Sequence, residues 1–255
     1  MRPRPYDGRL IVGVVFLSGA LTVGSSAYAF GLFIQPLEEQ FDWPRTAISA
    51  SLSFMAIGSL AGPLIGRLMD RHGARPVLVA CLTLYGLGLV LRPWMTELWH
   101  FYAFSAVQFV GFSGAAFLPA GRLVAIWFPR SRGRVMGITM MGNNFGGLTA
   151  PLAVGFLLAV SSWEAAYIAL AAASFSLGLA ALVLVHEDTG RGSAAQAQGG
   201  PTLTGATLSE ALHTSSFYTI TLALTLAAYT YSTILPHISA FLTDEGLERG
   251  AMLAA

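Results

Sequence analysis

Charged residues avoid long stretches of this chain and gather in short ones between them. Runs nearly free of Asp, Glu and Arg cover residues 10 to 36, 46 to 66, 76 to 96, 98 to 128, 135 to 160, 164 to 185 and 214 to 240. A helix needs about 20 apolar residues to cross the hydrocarbon of a bilayer, so each run is long enough to span it. None alternates with the two-residue period of a strand, and in lipid only a closed barrel would satisfy strand backbones. The pattern predicts an all-α polytopic membrane protein with seven spans. The first run imitates a secretory signal, with Ala27-Tyr28-Ala29 as a small-residue cleavage site. Its 28 charge-free residues from Leu10 to Leu37 are too many for a signal core, and further spans follow.

Composition agrees: the 255 residues are 55% hydrophobic and 11% charged, far from the roughly quarter-charged average of soluble domains. All 14 basic residues other than His are Arg. They sit at the ends of apolar runs rather than in one patch, so nucleic acid is not an expected partner. The lone Cys81 makes no internal disulfide, and no Cys/His spacing suggests a metal or cofactor.

Arginine falls mainly on one side of the spans, at Arg2, Arg4 and Arg9, then Arg67, Arg71 and Arg75, then Arg130, Arg132 and Arg134, then Arg191. The other side has Arg45, Arg92 and Arg249 among most of the acids. The positive-inside rule then places the N-terminus in the cytoplasm of a multi-pass protein of the cell (inner) membrane. Six spans fill residues 1–185, a Gly/Ser/Ala/Gln/Pro-rich stretch within 186–213 reads as a flexible cytoplasmic linker, and 214–255 carries one further span. Small residues at Gly58, Gly62 and Gly66, and at Gly142, Gly146 and Gly155, are expected to let helices pack closely.

The densest polar stretch is Gly66-Arg67-Leu68-Met69-Asp70-Arg71-His72-Gly73-Ala74-Arg75. It reads as a tight hairpin at the membrane surface, with Gly66 and Gly73 turning the backbone and Asp70 accepting from the free N–H groups of the following helix. Its fixed positions, Gly66, Leu68, Asp70, Arg71, Gly73 and Arg75, match the G-x-L-x-D-R-x-G-x-R pattern between the second and third helices of the major facilitator superfamily, which this sequence resembles. The resemblance implies a six-helix N-terminal bundle, a linker and the seventh helix of a second, incomplete bundle. It also implies that Gly66, Asp70, Arg71, Gly73 and Arg75 form a gating loop that latches two half-transporters together. The rest of the C-terminal bundle is then an expected partner. Spans three and six, nearly all apolar, would lie at the periphery, while the first and fourth line the cavity.

Further stretches resemble one branch. Trp127-Phe128-Pro129-Arg130-Ser131-Arg132-Gly133-Arg134, followed by Gly137 and Gly142, is similar to the monocarboxylate transporter signature at the fifth helix. Asp7-Gly8 resembles the start of that family's first-helix motif, though Arg9 and Leu10 depart from it. Phe41-Asp42-Trp43-Pro44-Arg45 and Trp163 are similar to bacterial members, including the oxalate/formate antiporter group. Three features of related carriers are missing: an Arg near Gln108 to Gly111, the G-P-x-x-G-G signature in span five, and a Lys in the first helix, where Tyr28 aligns.

No Asp or Glu lies in the interior of any run, which argues against a cation-binding carboxylate in this half. An anionic substrate instead needs positive charge or hydrogen-bond donors. The candidates for substrate binding are Tyr28, Asn143 or Asn144 (adjacent residues cannot both face a cavity), Arg122 and His237, and the Ser25-Ser26 pair could hydrogen-bond a small anion or simply pack. Arg122 also has the alternatives of snorkelling or pairing with a loop, and His237 that of a packed helical residue.

The reading that follows is a secondary transporter of small organic anions of the monocarboxylate type, working by alternating access with proton symport or anion exchange, its partners being the anion, protons and membrane lipids. The alternatives are a truncated, non-transporting fragment of such a carrier, a facilitator of another substrate class, and a membrane sensor, for which a long soluble domain is wanted. Enzyme chemistry is disfavoured: there is no paired carboxylate and no nucleophile with a base.

Overall fold

The computed structural model describes residues 7–186, 210 and 212–244, with side chains described for 8–186, 210 and 212–230. Among these residues every regular element is helical. The chain divides into two units, residues 1–198 and 199–255, and each is taken by itself.

The first unit holds six helical stretches long and apolar enough to cross a membrane, at Gly8–Tyr28, Arg45–His72, Ala74–Trp94, Leu98–Trp127, Arg132–Val160 and Trp163–Leu184. They coincide with the first six apolar runs, with informative differences. The first run is one helix, α1 (Asp7–Val23), only until a π-turn at Gly24–Tyr28 and a 3-10 turn at Phe30–Phe33 lead into α2 (Ile34–Phe41). The second combines α3 (Arg45–Ala50), a 3-10 turn and α4 (Met55–His72). The third is α5 (Ala74–Val90), continued by a 3-10 turn at Arg92–Trp94. The fourth breaks at Phe117, just before Pro119, into α6 (Leu98–Ala116) and α7 (Leu118–Trp127). Proline has no N–H to give, so it opens a new helix more readily than it continues an old one. The fifth and sixth are α8 (Arg132–Val160) and α9 (Trp163–Leu184).

The hairpin differs from the sequence expectation. α4 runs through Gly66, Asp70 and Arg71 to His72, and the turn is made by Gly73 alone, at φ 92°. That conformation strains any residue with a Cβ, so one glycine suffices to reverse the chain into α5. Gly66 is a mid-helix residue with open space where a side chain would be.

Packing follows shape rather than glycine count. α1 lies along α8 and α5 sits between α6 and α9. A Cβ on Gly142 would strike the carbonyl of Phe16, one on Gly146 the carbonyl of Ala20, and one on Gly58 the carbonyl of Phe109. The evenly spaced Gly62 and Gly66 touch nothing at that position, and Gly155 reaches only Leu32 at 4.0 Å. Two apolar clusters result, one at the hairpin end around Ile11, Met69, Leu78 and Leu123, the other at the opposite end around Phe33, Ile48, Phe101 and Trp163.

In the second unit, α10 (Ser215–Asp244) is a single 30-residue helix covering the seventh apolar run. Most of the expected linker, residues 187–209 and 211, lies outside the described residues, as do the side chains of Tyr231, Ser232 and His237.

Candidate functional site

Arg92 lies near the end of the third apolar run, and the sequence counts it among the few arginines of the side opposite the hairpin. The structure turns it inward: it is 3% exposed, and it is the one buried charged residue among those described. The 3-10 turn at Arg92–Trp94 tightens the helix end, and the side chain enters the apolar cluster far from the hairpin. Its Cζ stands 4.9 Å from the ring centroid of Phe101 and 4.6 Å from that of Tyr167, an arrangement in which two ring faces offset part of the lost hydration. Nη2 donates to Gln108 Oε1 at 2.5 Å and to Ser105 Oγ at 3.2 Å, both on α6. No carboxylate among the described residues pairs with it; the two ion pairs found there are Arg45–Glu38 and Arg122–Asp70.

From Gln108 a chain of hydrogen bonds crosses to the end of α1. Gln108 Nε2 donates to Ser26 Oγ at 3.1 Å, and the Tyr85 hydroxyl lies 2.7 Å from Ser26 Oγ and 2.6 Å from Ser25 Oγ. Tyr85 also donates to the Thr22 carbonyl at 3.1 Å, while Ser25 donates to the Leu21 carbonyl at 2.5 Å. A phenol has one proton, so Ser26 supplies the hydrogen in its own contact with Tyr85. The layer thus joins four helices, with α9 contributing Tyr167, whose ring stacks on Phe33 at 4.0 Å. At its centre a small cavity is lined by Ser25, Ser26, Arg92, Gln108 and Tyr167 with apolar neighbours, and has about 10 Å³ for the centre of a water. Two buried polar atoms among these residues have no hydrogen-bond partner, Arg92 Nε and the Tyr167 hydroxyl.

The third span is therefore not wholly apolar. Half of its apolar window is buried, and it supplies both Tyr85 and Arg92 to the polar layer. The missing Arg near Gln108 is also supplied from outside that stretch: no basic residue occurs there in sequence, yet a guanidinium reaches Gln108 from the neighbouring helix. One signal could have pointed to it, since Arg92 stands on the side of the membrane where arginines are scarce.

Of the residues singled out from the sequence, Ser25 and Ser26 line the cavity and the others are scattered. Arg122 lies on α7 and donates from Nη1 to Asp70 Oδ1 at 2.9 Å, so it belongs with the hairpin rather than the cavity. Asp70 accordingly accepts from a side chain, not from the first turn of α5. Arg75 donates to the Leu182 carbonyl in the last turn of α9, where carbonyls lack helical partners. Trp127 Nε1 adds a bond to the His186 carbonyl at 3.0 Å. Arg71 is exposed. Tyr28 is half-buried, its ring 3.0 Å from where a Cβ on Gly147 would stand. Asn143 turns toward α1, its Oδ1 buried, without a partner, and 2.6 Å from where a Cβ on Gly19 would stand. Asn144 is exposed. Neither Tyr28, Asn143, Asn144 nor Arg122 lines the cavity at Arg92.

Comparison with known proteins gives this geometry a family. The model of the Major Facilitator Superfamily matches residues 15–255. Monocarboxylate transporter 13 of Bos taurus is 27% identical over 255 residues, covering 96% of this chain and 57% of its own length. Monocarboxylate transporter 11 of Mus musculus is 31% identical over 188 residues, 69% of this chain and 41% of its own. Monocarboxylate transporter 14 of Homo sapiens is 30% identical over 184 residues, 69% of this chain and 36% of its own. The chain spans about half the length of these curated relatives, or less.

Proposed function

The chain belongs to the major facilitator superfamily, and we propose that the full-length protein is a secondary transporter of small organic anions of the monocarboxylate type, working by alternating access. One observation carries the choice of anion: among the described residues the only charge buried within the bundle is the guanidinium of Arg92, and no carboxylate accompanies it. A buried carboxylate would favour a cation, whereas an unpaired guanidinium favours an anion. The names of the relatives support the same class.

Residues 1–185 act as the N-terminal bundle, 186–213 as a cytoplasmic linker, and 214–255 as the first part of a second bundle. In a bacterial-type inner membrane the N-terminus and the hairpin at Gly73 face the cytoplasm. There Asp70, held by Arg122, and Arg75, held on the end of α9, fix the hairpin against its own bundle. Gly66, Arg71 and the exposed face of α4 remain available to the opposing half as the carrier rocks. Tyr28, Asn144 and His237 remain candidate contacts to substrate in that complete carrier. Transport is coupled to protons or to a counter-anion.

The test is uptake of labelled lactate, pyruvate and oxalate by the full-length protein in liposomes. Accumulation that responds to an imposed proton gradient, or to anion loaded inside, supports the reading. Uptake no faster than in empty liposomes for all three would reject it.

A further inference from the structure

We propose that the cavity between Arg92 and Tyr167 is a carboxylate-binding site, with Arg92 Nε and the Tyr167 hydroxyl as its donors. This deepens the transporter reading and rests on it for the choice of carboxylate over other small anions.

Four observations converge on the site. Arg92 is 3% exposed and Tyr167 1%, so neither side chain is solvated at the surface. The unpartnered atoms Arg92 Nε and Tyr167 hydroxyl belong to residues lining one cavity, beside Ser25 and Ser26. Arg92 acts on the Tyr167 hydroxyl at short range, yet neither Arg92 Nε nor that hydroxyl has a partner of hydrogen-bond geometry, and buried donors left in that state mark where an acceptor belongs. Nη2, which shares an edge of the guanidinium with Nε, is already engaged by Gln108 and Ser105, which fixes the plane and leaves Nε for a ligand. Finally, the charge on Arg92 has no counter-charge among the described residues. A water would satisfy both donors but would leave that charge unbalanced; an anionic oxygen does both.

The space is about that of one water, enough for one carboxylate oxygen between the donors. Seating the whole head group requires neighbouring side chains to give way, which makes the arrangement a closed one.

The experiment uses the full-length protein in detergent, with thermal stability followed as sodium formate replaces equal concentrations of sodium methanesulfonate, a bulkier and weaker acceptor. The wild type should gain stability with formate in a saturable way, because a ligand that binds only the folded state stabilises it by mass action. Tyr167→Phe keeps the ring against Phe33 and Arg92 and removes only the hydroxyl. It should melt like the wild type without formate, yet need at least about fivefold more formate for half the shift, the loss expected for one hydrogen bond to a charged group. Arg92→Lys, which keeps the charge but not Nε, should weaken the shift further.

A formate response identical in wild type and Tyr167→Phe, or no response in the wild type, overturns the proposal and leaves a structural water as the occupant. Transport assays on the same samples separate the two readings. A wild type that carries monocarboxylates with a formate response untouched by Tyr167→Phe keeps the function and loses the site. One that carries none, while its formate response is lost in Tyr167→Phe, keeps the site and loses the function.

Discussion

The guanidinium of Arg92 donates to Oε1 of Gln108 at 2.5 Å, across 16 residues of sequence and between the third and fourth spans. Gln108 in turn donates to Ser26 on the end of the first span, so one amide ties a buried cation to two helices. Gln108→Leu conserves volume and removes both bonds. The thermal stability of the detergent-solubilised protein should fall by about 1.5–3 kcal/mol, the range for a hydrogen bond to a charged group. Ser105→Ala removes the longer contact at 3.2 Å together with the local bond from its hydroxyl to the Phe101 carbonyl at 2.7 Å, which already accepts within the helix, and should cost about half as much or less. Equal losses in the two variants would show that the amide is not the principal partner.

Gly146 and Ala20 make the tightest contact between α8 and α1, where an added Cβ would overlap the Ala20 carbonyl. Gly146→Ala should force the helices apart and cost about 1–3 kcal/mol, or prevent folding. Gly62→Ala, on the evenly spaced row of α4 where a Cβ meets open space, should be neutral or stabilise by up to about 1 kcal/mol through helix propensity. Folded yield and melting of the two alanine variants, measured side by side, provide the comparison.

The bond between Asp70 and Arg122 joins the end of α4 to α7, with side-chain exposures of 78% and 27%. An ion pair so exposed contributes little to stability, and a double-mutant cycle with Asp70→Asn and Arg122→Gln should give a coupling of about 0.2–1 kcal/mol. Its larger effect is expected on turnover, because the pair holds the hairpin in one position. In liposomes Asp70→Asn should change the maximal rate of uptake more than the half-saturating substrate concentration. The reverse pattern would move the pair from gating to binding.

Arg45 and Arg71 stand near opposite ends of the second span. Single cysteines replacing them should be labelled by a membrane-impermeant reagent from opposite sides, Arg45→Cys from outside and Arg71→Cys only after the membrane is opened. Cys81 is 5% exposed and should give little background. Labelling of Arg71→Cys in intact cells would invert the proposed orientation.

Most of the fold was legible in the chain itself. Six of the apolar runs became six membrane-length helical stretches because a span must satisfy its own backbone and face lipid, constraints that act locally along the sequence. The hairpin motif was legible for the same reason, and with it the superfamily. Within those limits local geometry still surprised: Gly73 alone turned the chain where two glycines were expected, and the first and fourth runs broke at residues 24 to 33 and at Phe117.

Of the candidate site, the Ser25-Ser26 pair was legible and the buried cation was not, and Arg92 shows why. Its sequence neighbourhood, the last residues of an apolar run with Pro93 next, does not show which way its side chain turns. Whether its side chain goes into water or into the bundle depends on the rotation of the helix end and on Phe101, Ser105, Gln108 and Tyr167, which reach it from two other helices. Arg122, for which pairing with a loop stood beside a substrate role, bonds Asp70 52 residues away. The sequence by itself determined that this chain has membrane-length helices and belongs to the major facilitator superfamily, because hydrophobic length and turn chemistry are written residue by residue. Only the tertiary structure decided which cation is buried and which glycines touch, because burial belongs to the neighbours that surround a side chain, and those come from distant parts of the chain.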